Sequence, residues 1–128
     1  MFQILYVSAL ADHCGASDVS DVIQVSRDHN PREGIRGALV FDGAQFAQLL
    51  QGERDKLLQL MQRIEADGRH RQIAVLLRAE CDAALARPQW LAGYCEPDTL
   101  APLRELADAA PAQILAAFQG VLAAADLA

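Results

Sequence analysis

The chain has 128 residues, of which 52% are hydrophobic, and its formal net charge is -6. This length fits one domain, and the apolar content excludes an intrinsically disordered chain. The acidic balance argues against non-specific binding to nucleic acid or to an anionic membrane surface.

Apolar runs and cysteines set two further bounds. No uninterrupted apolar run is long enough for a transmembrane helix, so we expect no membrane association. The three cysteines, Cys14, Cys81 and Cys95, are widely spaced and form no CxxC or Cys/His pattern. We therefore expect reduced thiols, no structural metal and a cytoplasmic location.

The first elements in chain order are a strand and a helix. Residues 2–8, FQILYVS, are predicted as a strand. A helix follows, which Ser17 or Asp18 can cap and which runs to about Asp28. Pro31 disfavours helix at the residue before it, so a loop is expected there.

A hairpin and a second helix come next. Residues 35–41 and 46–51 are predicted strands, joined by the tight turn DGA. Residues 53–67 are predicted as a helix that has apolar residues on one face and ends at Gly68.

The remaining sequence predicts two strands and a helical tail. Residues 71–80 and 89–95 are predicted strands, whereas CDAALAR between them fits either a loop or a short helix. Tail helices are predicted to start near Thr99 and near Pro111.

This order predicts an α+β fold, a ferredoxin-like βαββαββ sandwich. We expect a five-stranded mixed sheet with two helices on one face. The other face of the sheet is also apolar, and the two tail helices can cover it. Residues 1–97 would form the core and residues 98–128 a C-terminal helical cap within the same domain.

Polar residues at inward strand positions are the strongest chemical signal. In FAQLLQ, residues 46–51, Gln48 shares a face with large apolar residues, and in the first strand Tyr6 and Ser8 share a face with Ile4. The first and third strands of this fold are expected to be central neighbours. A Tyr6 hydroxyl bonded to the Gln48 amide would satisfy both groups, which is a purely structural explanation of the pair.

Patterns typical of enzymes are missing from the sequence. GxSxG, HExxH, P-loop and GxGxxG motifs are absent, and the histidines His13, His29 and His70 lie in predicted loops or at element ends. We therefore expect that the chain is not an enzyme.

Five separated motifs resemble those of BLUF domains, the blue-light sensors that use FAD. In chain order they are LYVSALA, SRDHNPREGIRGALVF, FAQLLQGE, RIEADGRH and RPQWLAGY. Each motif alone is weak, but five in the family's order on a matching topology make a specific resemblance. They span roughly residues 2 to 95, and the family's fold is the same ferredoxin-like sandwich.

The resemblance implies an FAD whose isoalloxazine ring lies between the two helices on one sheet face. Tyr6 would donate an electron and a proton to the excited flavin. Gln48 would sit between Tyr6 and the flavin and exchange what it offers to the ring. Asn30 would bond the carbonyl edge of the ring.

The resemblance also assigns further flavin contacts and an output route. The further flavin contacts are Ser8, His29, Arg63, Asp67 and His70. Trp90 and Ala92 would relay the signal through the fifth strand and the cap helices. The receiver would be a separate, unknown downstream protein or a homo-oligomer of this chain.

The chain departs from the family's pattern at four positions. Arg36 replaces the usual Thr, Gln51 the usual Glu, Arg87 the usual Phe and Ala92 the usual Met. These departures leave open a light-silent interaction module that has lost flavin or the photocycle. A ferredoxin-like hydrolase of the acylphosphatase type would need an Arg in a Gly-rich loop near the first strand, and SALADHCGAS has none.

Overall fold

The computed structural model describes residues 1–83 and 86–128. The elements are β1 (Phe2–Leu10), α1 (Ala16–Arg32), β2 (Arg36–Phe41), β3 (Gln45–Gly52), α2 (Arg54–Ala66), β4 (His70–Glu80), β5 (Trp90–Tyr94), a 3₁₀ helix (Ala101–Leu106), α3 (Pro111–Ala123) and β6 (Asp126–Leu127). The predicted βαββαββ order is confirmed. The segment CDAALAR, predicted as either a loop or a short helix, includes residues 84 and 85, which lie outside the described residues.

The strands form one sheet in the order β4-β1-β3-β2-β5-β6. β1 and β3 are antiparallel neighbours in the interior of the sheet, as predicted, while β2 and β5 are parallel. The prediction of five strands was wrong by one, because β6 pairs antiparallel with β5. A two-residue strand is too short to produce a recognisable alternation in sequence.

Two apolar layers lie on opposite faces of the sheet. On one face, α1 and α2 pack against a cluster that includes Ile4, Leu39 and Leu50. On the other face, the tail covers a cluster that includes Leu49 and Phe118. The prediction that the tail caps the second face is therefore confirmed.

Helix α1 differs from its prediction at both ends. It starts after Gly15, whose backbone N–H donates to the Asp18 carboxylate at 2.9 Å, so Asp18 acts from inside the first turn. It also continues through Pro31 to Arg32. A proline in the last turn lacks one N–H donor, but the Glu33 and Ile35 N–H groups both donate to the Asn30 carbonyl and close the helix end.

The first tail helix starts two residues after the predicted position near Thr99. It is a 3₁₀ helix of six residues, and Thr99 lies before it and donates its hydroxyl to the Glu96 carbonyl. Short 3₁₀ segments are common connectors. The second tail helix begins at Pro111, as predicted. Within residues 1–83 and 86–128, no helix combines the length and the apolar composition needed to cross a bilayer.

Candidate functional site

Tyr6 and Gln48 face each other across the central strand pair. They are direct partners in the β1–β3 register, and Gln48 Nε2 donates to Tyr6 Oη at 2.5 Å. Tyr6 is 0% exposed and Gln48 4% exposed. Burial raises the pKa of the Tyr6 phenol well above its usual range, and the bond from Gln48 offsets only part of this. The phenol is therefore protonated at neutral pH.

A cleft of about 140 Å³ opens above this pair, between α1 and α2. The predicted flavin contacts that line it are Tyr6, His29, Asn30, Gln48, Arg63, Asp67 and His70. The structure thus brings together side chains that are spread over more than half of the sequence. The cleft's other lining residues are Val22, Val25, Ser26, Leu39, Leu60, Ile64 and Arg69.

His29 joins the two helices that border the cleft. Arg63 Nη1 on α2 lies 2.8 Å from His29 Nε2, and His29 Nδ1 lies 3.1 Å from Asn30 Oδ1. Because arginine can only donate, His29 Nε2 must accept and His29 Nδ1 must carry the proton that Asn30 Oδ1 receives. This assignment leaves the amide nitrogen of Asn30 free to donate elsewhere.

Arg69 ties the two helices together on another side of the cleft, and no role was predicted for it. Its guanidinium donates to Asp21 Oδ2 on α1 at 2.7 Å and to Asp67 Oδ2 at 2.8 Å. The bond from Arg69 holds the pKa of the Asp67 carboxyl below its usual range. Arg69 lies inside the RIEADGRH motif, so its place in that motif was the sequence signal from which a role at the site could have been predicted.

Ser8 does not line the cleft, unlike the other predicted contacts. Its hydroxyl lies 2.8 Å from His70 Nδ1, so it reaches the cleft only through the His70 imidazole. The His70 ring also packs on Phe46, with centroids 4.9 Å apart. Burial lowers the pKa of His70, and the nearby Asp67 carboxylate opposes that shift in part.

The predicted signalling residues lie on the same sheet face as the cleft but do not line it. Trp90 points inward with 8% exposure, and its indole N–H donates to Ser26 Oγ on α1 at 3.1 Å. The Ala92 carbonyl accepts Arg27 Nη2, also on α1, at 2.8 Å. In register, Gln48 pairs with Leu39 and Leu39 pairs with Ala92, which forms a lateral row across three strands.

Gln51 and Arg87, two departures from the family's pattern, contact each other. Gln51 is buried on the face opposite Gln48; its Oε1 accepts the Arg87 backbone N–H at 2.8 Å, and its Nε2 donates to Gln3 Oε1 at 3.3 Å. The sequence had assigned no role to Gln51. In the structure it ties β3 to β1 and to the segment that precedes β5.

The side chains around the cleft fit a flat, polar-edged ring. Val22, Leu60 and Ile64 supply apolar surface from both helices. Asn30 and Gln48 add amides that can each donate and accept. An isoalloxazine ring has two large apolar faces and an edge of carbonyl and nitrogen atoms, so the residues present suit it.

Comparisons with known proteins agree with this geometry. Residues 1–88 match the family model "BLUF: Sensors of blue-light using FAD". The "Blue light- and temperature-regulated antirepressor BluF" of Escherichia coli (strain K12) is 30% identical over 84 residues, 66% of this chain and 20% of that protein. The "Photoactivated adenylate cyclase subunit beta" of Euglena gracilis is 24% identical over 105 residues, 82% of this chain and 12% of that protein. The chain therefore spans a fifth or less of these curated relatives.

Solved structures give the same result. The dark-state structure of BlrB, "a BLUF protein", superimposes with a TM-score of 0.74 and 26% identity, over 96% of this chain and 95% of that one. The structure of "Klebsiella pneumoniae BlrP1 with FMN and cyclic diGMP" has a TM-score of 0.59 and 30% identity, over 63% of this chain and 22% of that one. Since the family model covers more than half of the sequence, from Met1 to Pro88, this chain belongs to the BLUF family of blue-light sensors.

Proposed function

We propose that this chain binds FAD non-covalently between α1 and α2 and senses blue light through Tyr6 and Gln48. The observation that carries the proposal is the buried Tyr6–Gln48 hydrogen bond directly beneath the cleft. A tyrosine and an amide that can rotate, next to a cleft that suits a flat ring, form a hydrogen-bond network that a photochemical event can rearrange.

The chain's own residues would hold the cofactor in distinct ways. Asn30 would donate its free amide hydrogens to the ring's carbonyl edge, with its orientation set by His29 and Arg63. Asp67 and His70 would lie along the ring and ribityl side. Ser8 would orient the His70 imidazole and not touch the flavin.

The bound flavin supplies absorption of blue light and an electron acceptor. Tyr6 is buried and protonated, so it could pass an electron together with its phenolic proton to the flavin. Gln48 donates to Tyr6 Oη, and that oxygen stays an acceptor after the phenolic proton has left. A rotation of the Gln48 amide would therefore be the event that exchanges the donor and the acceptor that Gln48 offers to the ring. No cysteine takes part in this scheme.

We infer that the signal leaves through β5 and the cap. Ala92 lies one strand beyond Leu39 in the row that starts at Gln48, and Trp90 lies two residues earlier on the same strand. Both residues contact α1. Residues 1–97 would form the light-sensing core and residues 98–128 the cap. The curated relatives are named as an antirepressor and a cyclase subunit, so their light sensing is linked to an output. Here the output would be a separate protein or a homo-oligomer.

The absorption spectrum of the purified protein tests this proposal. We expect a yellow protein whose flavin band shifts slightly to the red in blue light and returns in the dark. Chromatography of the cofactor released by denaturation should identify FAD; release of FMN would restrict the proposal to flavin in general. A colourless protein that takes up no added FAD would overturn it.

A light-silent interaction module is the second candidate. The Tyr6–Gln48 bond is compatible with this candidate too, because it pairs one buried donor with one buried acceptor without a flavin. It predicts no photoinduced shift even after incubation with FAD, so the same spectrum separates the two candidates.

A further inference from the structure

Residues 126–128 cover the outer edge of β5 with very few contacts. Gly93 pairs with Leu127 and Tyr94 with Asp126, and the backbone groups of Ala92 and Ala128 exchange two hydrogen bonds of 3.0 and 3.1 Å. The Asp126 side chain is exposed and that of Leu127 is half-buried. A strand this short, with so little buried apolar surface, belongs to the part of a fold that opens most easily.

The cover formed by residues 126–128 depends on one glycine, Gly93. A Cβ placed on Gly93 would lie 1.9 Å from the Asp126 carbonyl oxygen and 3.1 Å from Leu127 Cα. The three nearest heavy atoms all belong to residues 126 and 127. Gly93 therefore makes room for these residues, and a side chain there would collide with the cover first.

One backbone oxygen atom connects the cover to α1, the helix that borders the cleft on one side. The Ala92 carbonyl oxygen accepts both the Ala128 N–H at 3.0 Å and Arg27 Nη2 at 2.8 Å. Arg27 lies on α1 next to Ser26, which lines the cleft and accepts the Trp90 indole N–H. Any displacement of α1 relative to β5 therefore alters the geometry at the oxygen that holds Ala128.

Ala92 is also the last residue of the cross-strand row that begins at Tyr6 and Gln48. Tyr6, Gln48, Leu39 and Ala92 are successive cross-strand partners. Gln48 and Ala92 are two strands apart, about 10 Å at the usual strand spacing. A rearrangement at Gln48 thus has a short packed route to Ala92, both along the sheet and through α1.

We propose that residues 126–128 form a releasable strand that covers the β5 edge in the dark and leaves it in the light. The inference rests on the proposed photochemistry at Tyr6 and Gln48. Release uncovers the N–H and C=O groups on the outer edge of β5, so the signal becomes a change in which backbone groups are paired.

Amide hydrogen exchange of the full chain loaded with FAD tests this proposal. The Ala92 and Ala128 N–H groups should exchange at least about fivefold faster under continuous blue light than in the dark. The Cys81 N–H, which donates to the Met1 carbonyl near the opposite edge of the sheet, is the internal reference and should keep its rate.

Two variants separate the cover from general stability. Gly93→Ala should give fast exchange at Ala128 already in the dark while the flavin red shift persists. The matched control is Gly120→Ala on α3, where an added Cβ meets nothing within 4 Å, and it should behave like the wild type. Arg27→Met keeps the apolar stem but removes the donor to Ala92, so it should shrink the light–dark difference without abolishing the red shift.

The outcomes distinguish this inference from the proposed function. A normal red shift with equal exchange at Ala92 and Ala128 in dark and light would overturn the inference alone. A protein that shows no red shift would overturn the proposed function, and the inference with it. If Ala128 in the Gly93→Ala variant exchanged in the dark at the wild-type rate, the cover would not depend on the close approach at Gly93.

Discussion

Gln48 illustrates how a single side chain acquires its chemistry from its neighbours. Its amide nitrogen donates to Tyr6, and its side chain also faces the cleft. An amide has one accepting end and one donating end, so its rotation exchanges the two at fixed positions. A leucine would fill this position as well as a glutamine, but it could not transmit a change at Tyr6.

Replacing Tyr6 with Phe separates the proposed photochemical switch from the proposed flavin-binding site. Tyr6→Phe should keep the yellow colour, because the aromatic ring at this position and the other cleft-lining side chains remain, and lose the red shift, because no phenol remains. It leaves a buried Gln48 donor unpaired and should lower the free energy of unfolding by about 1–3 kcal/mol. Absorption spectroscopy and urea denaturation measure the two effects.

The chain contains its own control for this substitution. The other tyrosine, Tyr94, is 47% exposed, and Tyr94→Phe should leave both the spectrum and the stability unchanged. A normal photocycle in Tyr6→Phe would show that the proposed role of Tyr6 is wrong.

His70 should make stability depend on pH. Its pKa is lower in the folded state than in the unfolded chain, because burial disfavours the charged imidazolium. The unfolded state therefore binds more protons, and the contribution of His70 is complete above the unfolded pKa of about 6.5 and is lost as pH falls through the lower folded pKa. We expect the free energy of unfolding to fall more steeply below pH 6.5 in the wild type than in His70→Gln.

Urea denaturation over this pH range measures the difference. His13 is exposed in the loop after β1, so His13→Gln is the matched control and should follow the wild type. Parallel pH profiles for His70→Gln and the wild type would contradict the proposed protonation effect.

At the scale of elements, the cap is part of the core and not an appendage. Phe118 on α3 is fully buried against the sheet face that the two cleft helices leave uncovered. Phe118→Ala should cost about 3–5 kcal/mol, as large-to-small substitutions of buried aromatics do. The urea midpoint should fall, and the slope of the transition should stay unchanged.

Gln113 on the exposed side of the same helix provides the comparison. Gln113→Ala should change stability by no more than about 0.5 kcal/mol. An effect of Phe118→Ala as small as that of Gln113→Ala would mean that the tail contributes little to the stability of the fold.

Elements were predictable from sequence to the extent that they have an apolar period. β1 and β3 are short runs that are buried on both faces, and α2 carries an apolar stripe, so their positions were found from the sequence. The end of α1 was misplaced because the Pro31 rule describes an average preference, whereas the two N–H groups that close this helix on Asn30 depend on the loop that follows. β6 was missed because a strand of two residues is defined only by its pairing with β5, which the sequence does not show.

At the scale of the whole molecule, flavin binding should stabilise the fold. A ligand that binds only the native state adds RT ln(1 + [L]/Kd), which is about 2.7 kcal/mol at a hundredfold excess over Kd. Addition of FAD to flavin-free protein should therefore raise the melting temperature in a concentration-dependent way. Calorimetry measures this rise, and Gln113→Ala, whose substitution is remote from the cleft, should show the same one. An unchanged melting temperature at high FAD concentration would contradict binding.

The sequence by itself determined the fold class, the facing sides of the strands and the family, because these depend on local periodicity and on motifs in a fixed order. It also made Tyr6 and Gln48 candidate cross-strand neighbours, because strand alternation gives the face and the expected topology gives the strand order. The structure supplies the register that pairs them directly. Only the tertiary structure revealed the Arg69 link between Asp21 and Asp67, the contact of Gln51 with Arg87, and the carbonyl shared by Arg27 and Ala128. These contacts join positions far apart in the chain, and their partners are selected by three-dimensional packing, which leaves no periodic trace in the sequence.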